Sequence, residues 1–335
     1  MRPSRAVARW GAHVHIRYPG FLAAATTALA AMWLSQQYNA PVMLFALLLG
    51  IALSFLNDQE VCKSGIDFAS KSVLRVGVAL LGFRISTHTI VELGFFPIVT
   101  VLVAVATTIM FGVMASRIMK LGHEFGILSG GAVAICGASA ALAISAALGD
   151  RPNKGIHVVL CIVGVTTLST VAMVVYPSVG ALLQFSPPDF GLFIGGTIHD
   201  VAQVVGAGYM ISPEVGDIST YVKLLRVSLL VPVVLFVAIL IGRKENQSGQ
   251  VTLFPAFLIM FCVFVSINSA FTLPRFIMDA SSAISASCLV VAISALGMKT
   301  RFSDFINLGW APVVVIVAET IWIAFIVLII VLLNK

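Results

Sequence analysis

Leu128-Ser129-Gly130-Gly131-Ala132-Val133-Ala134-Ile135-Cys136-Gly137-Ala138-Ser139-Ala140 decides how the fold is read. Its Leu, Val, Ile and Ala content suits a helix in hydrocarbon, but a glycine pair and a third glycine weaken a continuous helix and let it break. A break at membrane depth frees backbone N–H and C=O groups, so it is tolerated only inside a bundle or beside a wet cavity. A half-helix starting there presents unpaired N–H groups and a positive dipole end, which attract an anion. Close packing is the competing reading, because Gly137, Ala141, Ser145 and Gly149 form a small-residue stripe at four-residue spacing.

The rest of the chain has the same character. Of its 335 residues 59% are hydrophobic and 10% charged, against about 25% charged in soluble domains. That excludes a soluble globular enzyme. Apolar segments lie near 20–36, 41–56, 70–85, 94–118, 125–148, 156–177, 190–210, 218–242, 251–271, 280–298 and 310–333, about eleven (10 to 12) spans of roughly the 20 residues a bilayer needs. They are too long and too uniformly apolar for the alternating strands of a membrane barrel. The fold class expected is therefore an all-α polytopic helix bundle with broken helices.

Arg2, Arg5, Arg9 and Arg17 precede the first apolar run, as in a secretory signal. Another run begins at Pro41 and many follow, so the first is read as an uncleaved span. Residues 1–19 are then a cytoplasmic basic segment and 20–335 a single transmembrane domain in a bacterial inner membrane. A cytoplasmic N-terminus puts Arg117 and Lys120, Arg243 and Lys244, and Lys299 and Arg301 inside, as the loop-charge rule requires, with Arg151 and Lys154 as the exception. The net charge of +6 is scattered over these loops, which orients a membrane protein and gives no nucleic-acid surface. Cys62, Cys136, Cys161, Cys262 and Cys288 form no C-x-x-C pair, so free thiols are expected, with no disulfide framework and no metal site.

Shifting the chain by 215 residues superimposes Val76, Leu81, Gly82, Leu93, Gly94 and Pro97 on Val291, Leu296, Gly297, Leu308, Gly309 and Pro312, and Arg84 on Lys299. The copies, around 41–118 and 251–333, start seven spans apart. An odd separation gives opposite orientations, the inverted repeat from which many secondary transporters build a midplane pocket. The glycine-rich central segments, around 125–210, lie between the copies. No nucleotide-binding loop occurs, so the chain does not hydrolyse ATP itself.

Within the central region, Gly195-Gly196-Thr197-Ile198-His199-Asp200-Val201-Ala202-Gln203 places His199 and Gln203 four apart, on one helix face, with Asp200 about 100° round. Polar groups at that depth cost several kcal/mol unless they meet a partner or a wet cavity. A pocket wall and a hydrogen-bonded structural cluster both answer that cost. Lys223 and Arg226 are one turn apart and suit an anion gripped by paired arginine donors and a lysine point charge; snorkelling to the interface is the alternative. Arg75 is a weaker site of the same kind. Glu319, deep in the last segment, is a lone carboxylate that is inert, paired with a cation or a proton carrier. His199, Asp200 and Glu319 are the candidates for proton coupling. Trp33 and Trp310 read as interface anchors.

At Leu80-Leu81-Gly82-Phe83-Arg84, Ala134-Ile135-Cys136-Gly137-Ala138-Ser139-Ala140, Ile198-His199-Asp200-Val201-Ala202-Gln203-Val204 and Lys223-Leu224-Leu225-Arg226-Val227 the sequence resembles the YeiH-type family of bacterial multi-pass membrane proteins, described as sulfate exporters. The resemblance runs from about residue 40 to the C-terminus and implies a plasma-membrane protein that exports sulfate or a related sulfur oxyanion.

The expectation is a secondary transporter, not an enzyme and without a cofactor, that holds a small anion between Cys136, Gly137 and Ser139, the His199 to Gln203 segment, and Lys223 with Arg226. Its partners are the anion, H⁺ or Na⁺ as coupling ion, the lipid bilayer and a second copy of the chain, with no nucleic acid. A Na⁺- or H⁺-coupled organic-anion symporter and a non-transporting structural or regulatory subunit are the alternatives. An intramembrane Cys136/His199 enzyme would need the two glycine-rich segments to touch.

Overall fold

A computed structural model describes residues 5–85, 91, 93–149, 154–240, 256–271, 273–300 and 309–334, with backbone alone for residues 5–16 and 154. Arg2, Arg151, Arg243, Lys244 and Arg301, on which part of the loop-charge reading falls, lie outside the described residues. The described chain is helical, with no strand. Its first helices are α1 (Arg5–Tyr38), α2 (Val42–Ala52), α3 (Glu60–Phe68) and α4 (Leu74–Leu80), with a π turn at Ala69–Val73 joining the last two. Next come α5 (Phe96–Ile118), α6 (His123–Ala134), α7 (Ala138–Leu148), α8 (Lys154–Leu182), α9 (Pro187–Thr197) and α10 (Val201–Ile211). The chain continues through α11 (Pro213–Ser228), α12 (Leu230–Leu240), α13 (Ala256–Ala270), α14 (Arg275–Lys299) and α15 (Trp310–Leu333).

Among the described residues five stretches, Phe96–Ile118, Gly155–Leu182, Pro213–Leu240, Arg275–Lys299 and Trp310–Leu333, are long and apolar enough to cross a membrane. Several shorter apolar helices accompany them, and the protein is a multi-pass membrane protein. Two expected spans are broken helices. The 125–148 segment is α6 and α7, and the 190–210 segment is α9 and α10, each pair separated by three residues outside helix. The span expected at 218–242 begins earlier, at Pro213. There the Ser212 hydroxyl accepts the Val215 N–H at 3.1 Å and a proline occupies the first turn, two signals that start a helix.

Contacts gather the chain into two units. Unit 1 takes residues 1–87 and 260–301, and its helices cross at glycines. A methyl group on Gly20 of α1 would stand 1.9 Å from the Cys62 carbonyl oxygen, and one on Gly65 of α3 would stand 2.1 Å from the Arg17 carbonyl oxygen. Backbones that close leave no room for a side chain. Lys299 at the end of α14 forms an ion pair with Asp67 of α3.

Unit 2 takes residues 88–259 and 302–335. In it α15 packs along α5, α6 and α9, with Phe111 stacked on Trp322 at 4.6 Å between ring centroids. Gly112 of α5 and Gly126 of α6 bring those helices together, a methyl on Gly126 meeting the Gly112 carbonyl oxygen at 2.3 Å. Both broken helices belong to this unit.

Candidate functional site

The first break follows from the backbone at two residues. Ile135 closes α6 at φ −110°, ψ −82°, and Gly137 adopts φ +65°, ψ −125° before α7 starts at Ala138. A β-carbon disfavours positive φ, so glycine is the residue that turns the chain here. The second break is extended at Ile198 (φ −65°, ψ 139°) and at Asp200 (φ −94°, ψ 145°). The breaks lie side by side: a methyl on Gly137 would come within 4.0 Å of His199.

Each break exposes the C-terminal carbonyls of one half-helix, which carry the negative end of its dipole and have no partner in their own helix. Lys223 and Arg226, three apart on α11 and both fully buried, supply the partners. The Lys223 ammonium donates to the carbonyl oxygens of Ile135 at 2.6 Å, Ile198 at 3.0 Å and His199. Arg226 donates from Nε to Ala134 O at 2.8 Å, from one terminal nitrogen to Gly195 O at 3.1 Å and Ile198 O at 2.9 Å, and from the other to Val133 O at 2.7 Å. An ammonium has three protons and a guanidinium five N–H donors. Lys223 is saturated and one donor of Arg226 is left. Neither cation snorkels to an interface, and neither is presented to a ligand as a free charge.

The N-terminal ends of the second half-helices differ. Asp200 caps α10, its Oδ1 accepting the Ala202 N–H at 3.1 Å. Gly137, the N-cap of α7, has no side chain to offer, and the acceptor at that end is the Cys136 sulfur, which takes the Ala140 N–H. Beside that end the Cys136 thiol lies 2.9 Å from the Ser139 hydroxyl; Cys136 is buried, whereas Ser139 is exposed. The positive end of α7, with Gly137, Ala138 and Ser139 at its start, thus carries no carboxylate, in contrast to α10.

His199 is not on the helix that carries Gln203. It sits in the extended break while Gln203 lies in the first turn of α10, so the shared face expected from their spacing does not form. Gln203 is instead tied to α8: its amide nitrogen donates to Thr170 Oγ1 at 3.1 Å and its carbonyl accepts from Ser169 Oγ at 3.2 Å. Ser169 also accepts the Asp200 N–H at 3.0 Å. His199 Nε2 meets Thr320 Oγ1 of α15 at 3.0 Å, and that hydroxyl donates to Ile316 O at 2.8 Å. The roles in this contact depend on the ring tautomer, and the backbone carbonyls of Val133 and Thr197 also neighbour the ring. No hydrogen bond joins Cys136 to His199, although their segments do touch.

Glu319, next to Thr320 and fully buried, lies 2.7 Å by Oε1 from the Ser129 hydroxyl of α6, while its Oε2 has no partner among the described residues. Ser129 also reaches Phe125 O at 2.9 Å. One hydroxyl proton cannot serve both acceptors; a proton on Glu319 would satisfy both. Arg75 lies on α4 in unit 1 and takes no part in this cluster. Trp33 and Trp310 are exposed at 60% and 74%, as interface anchors are.

Ser129, Ser169, Thr170 and Thr320 complete the cluster and were not singled out by sequence. The Thr166-Thr167-Leu168-Ser169-Thr170 run is the available signal, since four hydroxyls in one apolar span ask for partners.

A family described as Conserved hypothetical protein 698 matches residues 19–316. A UPF0324 membrane protein of Chlorobaculum tepidum is 47% identical over 93% of this chain and 88% of its own length. The UPF0324 membrane protein TauZ of Paracoccus pantotrophus is 45% identical over 92% of each chain. The UPF0324 inner membrane protein YeiH of Escherichia coli is 30% identical over 83% of this chain and 81% of its own. No solved structure matches the chain.

Proposed function

The chain belongs to the Conserved hypothetical protein 698 family, together with the UPF0324 membrane proteins, and on that premise we propose that it is a secondary transporter of a small inorganic anion. The observation that carries this reading is the pair of adjoining broken helices in unit 2. Their negative ends are neutralised by Lys223 and Arg226, and the positive end of α7 carries no carboxylate beside exposed Ser139. A half-helix N-terminus is an anion site at membrane depth. The two cations are the scaffold of that site: they remove the negative charge that would otherwise repel the ligand. Cys136, Gly137 and Ser139 form the contact surface. His199 and Gln203 hold the second break in place.

Sulfate or a related sulfur oxyanion is the substrate class we assign, with export across the bacterial inner membrane and a cytoplasmic N-terminus. The protein is read as a carrier and not as an enzyme. The inverted repeat is supported by element bounds: α5 and α15 start 214 residues apart, and α3 and α14 start 215 apart. Asp200 favours one second reading, a cation-coupled organic-anion symporter, because a half-buried carboxylate at the break suits Na⁺ or a proton.

Reconstitution into liposomes tests both readings, with counterflow of labelled sulfate, sulfite and small carboxylates measured with and without pH and Na⁺ gradients. Sulfur oxyanion counterflow without a Na⁺ requirement supports the leading reading. Carboxylate flux that depends on Na⁺ supports the second, and no flux of any oxyanion defeats both.

A further inference from the structure

Unit 1 contains a second polar site, unrelated to the broken helices. A cleft of about 590 Å³ opens between α1 and the α3–α4 rod, lined by Arg17, Lys63, Asp67, Phe68, Lys71 and Arg75, with Glu60 at its rim. Lys63, Asp67, Lys71 and Arg75 are spaced by four. In a regular α-helix each such step drifts by about 40°, so three steps would carry the last residue about 120° off the first. The π turn at Ala69–Val73 lies midway along the run, and its wider i→i+5 turn takes back part of that drift. The run thereby keeps to one cleft.

The charges do not cancel. Glu60 is met by Lys63 at 3.8 Å, and Asp67 by Lys71 at 3.7 Å and by Lys299 from α14. Neither Arg17 nor Arg75 forms an ion pair with a carboxylate among the described residues. Arg17 is laid over the Phe68 ring, 5.2 Å from its centroid, which keeps its guanidinium in the cleft. The walls are fixed in place by the contact between Gly20 and Gly65.

The level of the cleft identifies its ligand. With 34 residues, α1 is about 51 Å long, well beyond the roughly 30 Å hydrocarbon layer. Its apolar stretch begins after Pro19, so Arg17 stands where hydrocarbon gives way to headgroups. Exposed Val61 and Val76, at 67% and 51%, flank the charged stripe with surface suited to acyl chains. We propose that this cleft binds the phosphate of an anionic phospholipid headgroup. The excess cations take the phosphate, and the neighbouring valines take the acyl chains.

The test uses the full-length purified protein, delipidated in neutral detergent, with native mass spectrometry to count bound lipid. Phosphatidylglycerol, phosphatidylcholine and inorganic phosphate are titrated separately. Retention of phosphatidylglycerol, weakened by salt, with neither phosphatidylcholine nor inorganic phosphate held at equal concentration, is the expected result. Lys71→Gln with Arg75→Gln should weaken phosphatidylglycerol binding about 25-fold, roughly fivefold for each charge, and Lys120→Gln should not. Should the double variant not fold, the salt dependence of the wild type decides. Equal retention of phosphatidylcholine, salt-independent binding, or unchanged binding by a folded double variant overturns the proposal. Retention of inorganic phosphate overturns it as well and makes the cleft a free-anion site.

Discussion

Lys223 donates to the carbonyl oxygen of Ile135 at 2.6 Å, joining residues 88 apart in sequence and pinning the end of α6 to the middle of the Pro213–Leu240 span. The same ammonium holds Ile198 O at 3.0 Å, so one side chain fixes the C-terminal ends of both broken helices. This is a charge whose structural work is complete before any ligand arrives.

Lys223→Met keeps the length of the side chain and removes its donors. The Ile135 and His199 carbonyls then lose their partner in a buried place, at roughly 1 to 3 kcal/mol each, while Ile198 O keeps its bond from Arg226. The expected outcome is a loss of several kcal/mol, read as a large fall in thermal stability in detergent by fluorescence-detected size exclusion. A variant as stable as the wild type would show that the carbonyls are satisfied by another route.

Gly137→Ala isolates backbone conformation from packing. A methyl there meets nothing closer than 3.7 Å, from Val165, so space is not the obstacle. The penalty is the backbone at φ +65°, ψ −125°, outside the left-handed helical well, about 1 to 3 kcal/mol for an L side chain. A modest drop in melting temperature together with a marked loss of oxyanion flux is expected. Full flux would mean that the turn at Gly137 does not shape the site.

Part of this site was legible in the sequence and part was not, for physical reasons. The glycines around Cys136 announce a break because glycine weakens helix directly. The break at His199 carries no glycine within it, and the 3.6-residue pattern continued smoothly from Thr197 to Gln203, so His199 and Gln203 were assigned to one face. What ends α9 there is tertiary: the carbonyls of Ile198 and His199 find stronger donors in Lys223 and Arg226 than a continuing helix would give. That gain needs residues about 25 positions away, and no local pattern records it. The same holds for the partners of Glu319 and Gln203, hydroxyls whose value depends on which helices come together. The helical membrane class, by contrast, follows from composition and run length, which are local properties.

Ser139→Asp places a fixed carboxylate at the start of α7, whose first turn has none. If this end receives the substrate, the variant carries its own anion. It should gain about 0.3 to 1 kcal/mol from the helix dipole while losing sulfate binding, measured by isothermal titration on purified protein. A rise in stability with sulfate binding intact would place the substrate elsewhere.

Glu319→Gln separates a proton carrier from a structural carboxyl. The amide keeps the shape and can donate to Ser129, so the packing against Gly112, where a methyl would lie 2.3 Å from Glu319 Oε1, is retained and stability should change little. What the amide cannot do is gain and lose a proton. If proton movement between Glu319 and the His199–Thr320 pair couples transport to a pH gradient, the variant should still exchange labelled sulfate for sulfate in counterflow. Its net flux should no longer respond to an imposed pH gradient. The exchange measurement shows that the substrate site is intact, and the gradient measurement then reads the coupling alone. Should gradient-driven flux persist at the wild-type level, Glu319 is a buried hydrogen-bonding group, and the proton, if one moves, passes through His199 or Asp200.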